Sequence, residues 1–431
     1  MPDLRVGVTT VDPQSVLPVS VDAVLTMHRL AIRGSDDDPE LAVVGRSELG
    51  EFVEVPSEAV DAIRLLDTGL SLAEVERRLL DEHAVELDVA ELAEILISLG
   101  FVAAVDGRPL PDPAAELPGS HLPWLRPGHV RWLVRWPVLA VWMVVLGAAA
   151  ATWWQRPDLL MSPTDFFWTS YVGLAVLVNT AMFSVNVSIH ELMHLATARA
   201  YGARSRIGFS TRLHHLVVQT DVTSVWAAPR GARYRVYLAG LCWDSFVIAS
   251  STLLIAYAGL PALADGLLAA LALVVLLSML LQVRVYMRTD LYYVLMEWLR
   301  SRSLMEDGWA YVRHLGRRIR RRPSEDPTAG FATRERRAVR VYAVAMATGV
   351  VVALATFAAF GLPILIEGVI LALDNLTSGL REGNVLGVLD STAIILVEGG
   401  IMAAFLVVFY REHRHWFRLG RKRRLAAIES G

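Results

Sequence analysis

The stretch "SVNVSIHELMHLATARAYG", residues 184–202, decides how this chain reads. It sets a Glu and two His inside a run that is otherwise suited to lipid. Between Asp165 and Arg199 the one formally charged residue is Glu191. Ionisable groups inside a membrane span are expensive and mark functional sites by default. His190 and His194 are four apart, hence on one helix face, and both imidazoles can reach one ion at about 2.0–2.1 Å. Glu191 is rotated by about 100° from His190, so it reaches a water beside the ion rather than the ion itself. Water activated in this way is a nucleophile at neutral pH, and Glu191 can take its proton and pass it to a leaving amine. The competing structural reading is a His pair that bridges helices by hydrogen bonds.

Working outward, the composition agrees with a membrane setting. The chain has 431 residues, 54% of them hydrophobic, and a mean hydropathy of +0.43. That is too apolar for an ordinary soluble enzyme and long enough for a soluble domain plus several spans. Six apolar runs approach the roughly 20 residues that a spanning helix needs. They lie at 136–154, 168–198, 238–260, 265–287, 341–362 and 391–410. Pro363 and Glu367 leave open whether 363–373 continues the fifth run, kinks it or lies at the interface. Trp136, Trp153, Trp154 and Trp168 fall near span ends, where interfacial aromatics concentrate.

Charge is divided along the chain. Residues 1–110 carry 22 acidic against 8 basic residues, about −14, which leaves 33 basic against 22 acidic in the remainder, about +11. An acidic soluble head on a basic membrane body follows, and the acidity argues against nucleic acid as a partner of the head. Every second loop of the body is Arg-rich, including "RHLGRRIRRRP" and the tail "REHRHWFRLGRKRR". The positive-inside rule therefore predicts a multi-pass membrane protein with both termini cytoplasmic, its Arg clusters touching membrane lipids, and the lack of Lys other than Lys422 suggests an Arg-biased bacterial genome, hence the bacterial cytoplasmic membrane. The N-terminus lacks the basic-then-apolar pattern of a cleavable signal peptide. Cys242 is the one cysteine, allows no internal disulfide, and reads as an inert packing residue.

The head has a pattern of its own. "LAVVGRSELGEFVEVP", residues 41–56, alternates around "SELG" as a hairpin does. Three amphipathic helices follow: one from Ser57 that stops at Gly69, one opened by Ser71 and Glu74 at capping-box spacing, and one from Asp88 to Gly100. "FVAAV" then closes the unit as a strand. "VEVPSEAVDAIRLLDTGLSLAEVERRLLDEH" with "LAEILISLGFV" resembles the PqqD-type peptide-recognition domain, over about residues 22–107. The resemblance implies a winged-helix-like α+β domain that binds a peptide, with a strand added to its sheet edge. A winged helix serving only as a folding or dimerisation module remains the alternative. The expected layout is an N-terminal segment 1–21, this domain, a linker 108–135, a helical membrane bundle 136–410 and a basic tail 411–431.

A zinc hydrolase needs a third protein ligand, and "VYMRTDLYYVL", residues 285–295, offers Asp290 at the end of the fourth run. The deduced topology puts it at the same depth as the HELMH segment. Together these motifs resemble the site-2 protease family of intramembrane zinc metalloproteases, in the branch found with bacterial peptide-modification systems. The family couples His-Glu-x-x-His to a later Asp-Gly; "TDLYYVL" stands where relatives tend to show "TDGYYLL". "TDVTSVWAAPRGARYRVYLAG", residues 220–240, also fits the branch, and the likeness covers about 168–305. It implies zinc bound by His190, His194 and Asp290, Glu191 as catalytic base, and a peptide or membrane-protein substrate. A non-catalytic scaffold that presents a peptide to a modification or export system is the alternative.

Two positions depart from the pattern. Leu291 replaces the expected Gly, which bears on the local backbone and on Asp290 as a ligand. Asp244 replaces a polar amide or Glu, and could orient substrate, hold the ligand shell, donate to an oxyanion when protonated, or merely pack helices. His214 and His215 read as residues of a re-entrant or amphipathic hairpin rather than ligands. Glu398 reads as packed against a neighbour through the adjacent glycines, and Tyr292 and Tyr293 as interface anchors.

Overall fold

The structure is a computed structural model that describes residues 19–36, 39–115, 119–301 and 303–429. Most of the expected N-terminal segment, and the last two residues of the expected tail, lie outside the described residues. The head opens with β1 (Leu25–Met27), β2 (Ala31–Gly34), β3 (Leu41–Arg46) and β4 (Glu51–Pro56). It continues through α1 (Ser57–Asp67), α2 (Leu72–His83) and α3 (Val89–Ser98) to β5 (Val102–Val105) and β6 (Arg108–Pro109). Strands β2, β3 and β4 form an antiparallel meander, with Val44 opposite Val53 across the expected hairpin. β1, β5 and β6 make a second sheet of three strands.

Local signals stop and start these helices where the sequence says they should. Ser71 and Glu74 close a reciprocal capping box at the start of α2, and the Glu91 amide donates to Asp88 Oδ1 (2.8 Å) at the start of α3. Gly69 (φ +86) and Gly100 (φ +70) take the left-handed conformation just past α1 and α3, where a side chain would be strained. One core joins both sheets to all three helices, with Val44, Val55, Ile63, Leu66, Leu79, Leu96 and Phe101 fully buried. Leu110, beyond the expected boundary at 107, packs against that core. Strands β1, β2 and β6 escaped the sequence reading because two to four residues are too few for an alternation to register.

The body begins with the single turn α4 (Pro127–Val130) and continues with α5 (Trp136–Gln155) and α6 (Val172–Ala200). A hairpin of β7 (Arg206–Arg212) and β8 (His215–Asp221) leads to α7 (Arg230–Tyr257) and α8 (Ala262–Gln282). Then come α9 (Asp290–Leu299), α10 (Leu304–Ile319), α11 (Thr333–Thr356), α12 (Leu362–Glu382) and α13 (Val385–Glu429). Among the described residues six helices are long and apolar enough to cross a membrane: α5, α6, α7, α8, the joined α11–α12, and α13. This is the make-up of a multi-pass membrane protein built on a helical bundle.

Several boundaries correct the reading from sequence. The third span starts at Arg230, not at 238, because the Arg-rich first turns are helical as well. The fourth ends at Gln282, and Asp290 opens the separate helix α9 instead of closing that span. Residues 363–373 do continue the fifth: a π-helical turn, Phe357–Gly361, joins α11 to α12 in one helix of 50 residues. The wider turn accommodates Pro363, which lacks an amide proton, without breaking the helix. The expected basic tail is the helical continuation of α13.

The two ends of the bundle differ. At one end Asp390 Oδ1, near the start of α13, accepts from the Leu174 amide (2.9 Å) at the start of α6. The closeness there depends on Gly173, whose added Cβ would lie 1.9 Å from the Asp390 carbonyl oxygen. The other end carries the head. Its β3–β4 turn sits on the 3-10 turn Thr223–Ala227, where Ser224 Oγ donates to the Ser47 carbonyl (2.9 Å). Arg233 of α7 ties three elements together: it forks onto Glu297 of α9 (2.7 and 2.8 Å), reaches Asp36 of the head (3.1 Å) and lies over the Trp226 ring.

The β7–β8 hairpin re-enters the bundle from that end. Tyr342 and Gly349 of α11 touch the turn after α8. His214 at the hairpin tip stacks on Phe357 (ring centroids 4.1 Å apart). Phe357 is eight residues past Gly349, or about 12 Å deeper along the helix at about 1.5 Å per residue. The tip therefore lies well below the end of α8.

Candidate metal centre

Helix α6 and the start of α9 bring three ligand atoms to one point. His190 Nε2 is 3.0 Å and His194 Nε2 3.2 Å from Asp290 Oδ2, and the two Nε2 atoms are 3.2 Å apart. Among the described residues these three form the one group of His, Cys, Asp or Glu spaced to hold a metal ion.

What lies behind the ligands sets their protonation. His190 Nδ1 faces Asp244 Oδ2 (2.9 Å), and Asp244 Oδ1 accepts from Asn186 Nδ2 (2.8 Å). The Asn186 carbonyl in turn accepts from Trp243 Nε1 (3.0 Å). His194 Nδ1 donates to the Val236 carbonyl (2.7 Å). Because the Val236 carbonyl can only accept, His194 carries a proton on Nδ1, and ionised Asp244 sets the same tautomer on His190; in the neutral rings each Nε2 then presents a lone pair to the centre. In that state two lone pairs and a carboxylate oxygen face one another, a donor set suited to a cation, whether a metal ion or a proton shared with Asp290. Two ligands at about 2.05 Å from one ion at the tetrahedral angle lie about 3.3 Å apart. The observed 3.0–3.2 Å is close to that spacing, so the residues present fit a zinc site.

Close packing makes the geometry possible. A Cβ on Gly240 of α7 would fall 2.2 Å from His190 Nε2, so the Ala-Gly pair noted in the sequence is where α7 leaves room for the imidazole. Asp290 is the first residue of α9, and its amide donates to Gln282 Oε1 (3.0 Å) while Thr289 Oγ1 donates to the Gln282 carbonyl (2.7 Å). Leu291 has ordinary helical backbone; the left-handed residue nearby is Arg288 (φ +53). The local backbone thus has no need of the Gly that Leu291 replaces.

Glu191 lies beside the cluster and is buried. Its Oε2 accepts from Thr220 Oγ1 of β8 (2.7 Å), and its Oε1 has no hydrogen-bond partner among the described residues. Glu191, His190, His194 and Asp290 line a cavity of about 540 Å³, one wall of which is β8 itself.

Of the residues weighed from sequence, Asp244 holds His190 and is fully committed there, which leaves it no free oxygen for an oxyanion or a substrate. His214 lies in the hairpin turn and His215 in β8, neither within the cluster. Tyr292 and Tyr293 are corrected. Tyr292 is buried and accepts from the Met305 amide, while Tyr293 lines the cavity and stacks on Tyr237. Glu398 is half-buried, but Gly399 and Gly400 face open space, so the expected packing through them is not seen. Asn186, Thr220, Gln282 and Gly240 were not read as site residues. Asn186 left a trace: an amide four residues before His190 lies on the same face of an apolar helix.

Comparison of the chain with protein-family models, with curated proteins and with solved structures finds no match.

Proposed function

We propose that this protein is a membrane-embedded zinc metallopeptidase that hydrolyses a peptide bond within or beside the membrane. The observation that carries this reading is the convergence of His190, His194 and Asp290 on one point beside Glu191, with both histidines and the glutamate inside the span-length apolar helix α6. A zinc ion held there supplies Lewis-acid activation of water at neutral pH. Asp244 and the Val236 carbonyl keep the two imidazoles in the ligating tautomer and orientation. Thr220 fixes the Glu191 carboxylate through Oε2, which leaves Oε1 to take a proton from water and deliver it to the leaving amine. An extended peptide can lie along β8, which no strand but β7 pairs among the described residues and whose side chains line the same cavity.

The head supports a recognition role. Three helices followed by the β5–β6 hairpin match a winged-helix plan, and the head is fastened over the cavity end of the bundle through Arg233 and Ser224. With Arg-rich segments gathered at the same end, that end is read as cytoplasmic. A scaffold without catalysis was suggested by Leu291; the helical backbone there takes away its motive.

Glu191→Gln tests the catalytic role. The variant is expected to keep its metal and to lose cleavage of a peptide substrate in detergent. Undiminished cleavage contradicts the assignment.

A further inference from the structure

The cavity beside the metal cluster holds two cations that the hydrolytic machinery does not use. Arg212 ends β7 near the tip of the re-entrant hairpin, and Arg284 follows α8; both line the cavity. Their partners are neutral. Arg212 Nη2 donates to Gln219 Oε1 (2.7 Å), and Arg284 Nη1 meets His215 Nε2 (3.4 Å). His215 is also the register partner of Arg212 across the hairpin, so Arg284 reaches the end of the hairpin from which Arg212 extends. Arg46, Arg233 and Arg288, by contrast, meet carboxylates: Arg46 meets Glu48 and Asp112, Arg233 meets Glu297 and Asp36, and Arg288 meets Glu306.

Among the described residues no carboxylate of the cavity forms an ion pair with either guanidinium. Glu191 is held by Thr220 and Asp290 faces the histidines. Asp221 accepts from the amide and hydroxyl of Thr223 (3.0 and 2.6 Å). Asp221 also stands at the opposite end of β8 from His215, about 20 Å away at about 3.3 Å per residue. Arg212 feels the charges of Asp290 and Glu191 but pairs with neither, and a guanidinium on a hairpin that dips into the bundle without an ion-pair partner is costly unless an anion arrives from outside. The planar fork suits a carboxylate best.

We propose that Arg212 and Arg284 form an anion subsite in the catalytic cavity that receives a carboxylate of the peptide substrate, either an acidic side chain or the C-terminus. This rests on the peptidase reading, since it names what that site selects. The subsite lies along the wall formed by β8, so a peptide laid there brings its carboxylate to the hairpin tip while the bond to be cut lies near Glu191. Cleavage is then directed to a position set by the distance from a negative charge, and apolar peptides without one are disfavoured.

Binding tests this without relying on turnover. Full-length Glu191→Gln protein in detergent is titrated with fluorescent Ala/Leu peptides in which one Asp is moved through each position. Asn counterparts of each serve as controls, and one Asn peptide is made with a free C-terminus or a C-terminal amide. The proposal expects at least one Asp position, or the free C-terminus, to bind about tenfold or more tighter than its neutral match. Which arm responds tells the side chain from the terminus. Adding Arg212→Gln or Arg284→Gln should shrink the gap to about threefold or less, with zinc content unchanged, and Arg212→Lys should restore part of it. Acidic and neutral peptides binding within about twofold, or no peptide binding at all, overturns the proposal. Zinc content and cleavage by the protein with Glu191 intact decide the peptidase reading separately.

Discussion

Replacing Gly240 by Ala places one methyl group against the metal centre, and its consequence can be worked from distances. The new Cβ would lie 2.2 Å from His190 Nε2 and 2.4 and 2.5 Å from Cε1 and Cδ2. An ordinary contact needs about 3.5 Å, so the ring or the helix must retreat by more than about 1 Å. The ring cannot simply turn aside, because Asp244 holds Nδ1 at 2.9 Å and Asn186 holds Asp244. Either α6 and α7 separate, at the cost of about 1–3 kcal/mol of overpacking, or Nε2 leaves the point it shares with His194 and Asp290. In the second case zinc affinity should fall by about 10–100-fold, as when an outer-shell partner is lost, and cleavage by about 100-fold. Chelator competition reads the affinity, and thermal unfolding of the metal-loaded protein reads the packing. A Gly240→Ala protein that binds zinc and unfolds like the parent refutes the claim that His190 sits against α7 in its ligating position.

Three further outcomes follow from the same contacts. Asp244→Asn can offer His190 an amide carbonyl but not a charge, and should weaken zinc binding by about 10–100-fold with the fold intact by circular dichroism; full affinity would make Asp244 a packing residue. Leu291→Gly, which restores the expected residue, should leave zinc content unchanged and cost about 0.5–1 kcal/mol of stability, because the position is helical; a gain in zinc affinity would show that Leu291 impairs the site. Arg233→Ala removes two hydrogen bonds from the buried Glu297 carboxylate and leaves it to Arg230, and should destabilise by about 1.5–3 kcal/mol, whereas Arg233→Met with Glu297→Met should recover most of it. Thermal unfolding checks this, and equal effects of the single and double variants would contradict it.

The fold was legible where the signal was long or chemically marked. Apolar runs of about 20 residues gave the spans, and Ser71, Glu74 and Asp88 gave the starts of head helices, because caps are local chemistry. Span ends were less legible: Arg230–Tyr237 is polar by composition yet helical because it packs beside α9, and the π turn before Pro363 has no sequence signature. In the site, His190, Glu191 and His194 could be read from spacing within one helix. Asp290 came from a matching depth, although it begins a helix rather than ending one. Gln282, Thr220 and the Val236 carbonyl could not be read, because each reaches the site through tertiary contact. Tyr292 was misread for a related reason: an aromatic near a span end can anchor to an interface or fill a core, and the neighbouring α10 and α11, which bury it, are not visible from position 292 alone.

Metal analysis of the purified full-length chain tests the central claim most directly. Detergent-purified protein should carry stoichiometric zinc, and His190→Ala, His194→Ala and Asp290→Ala should each lose nearly all of it. Parent protein without zinc, or variants that retain it, would contradict the account.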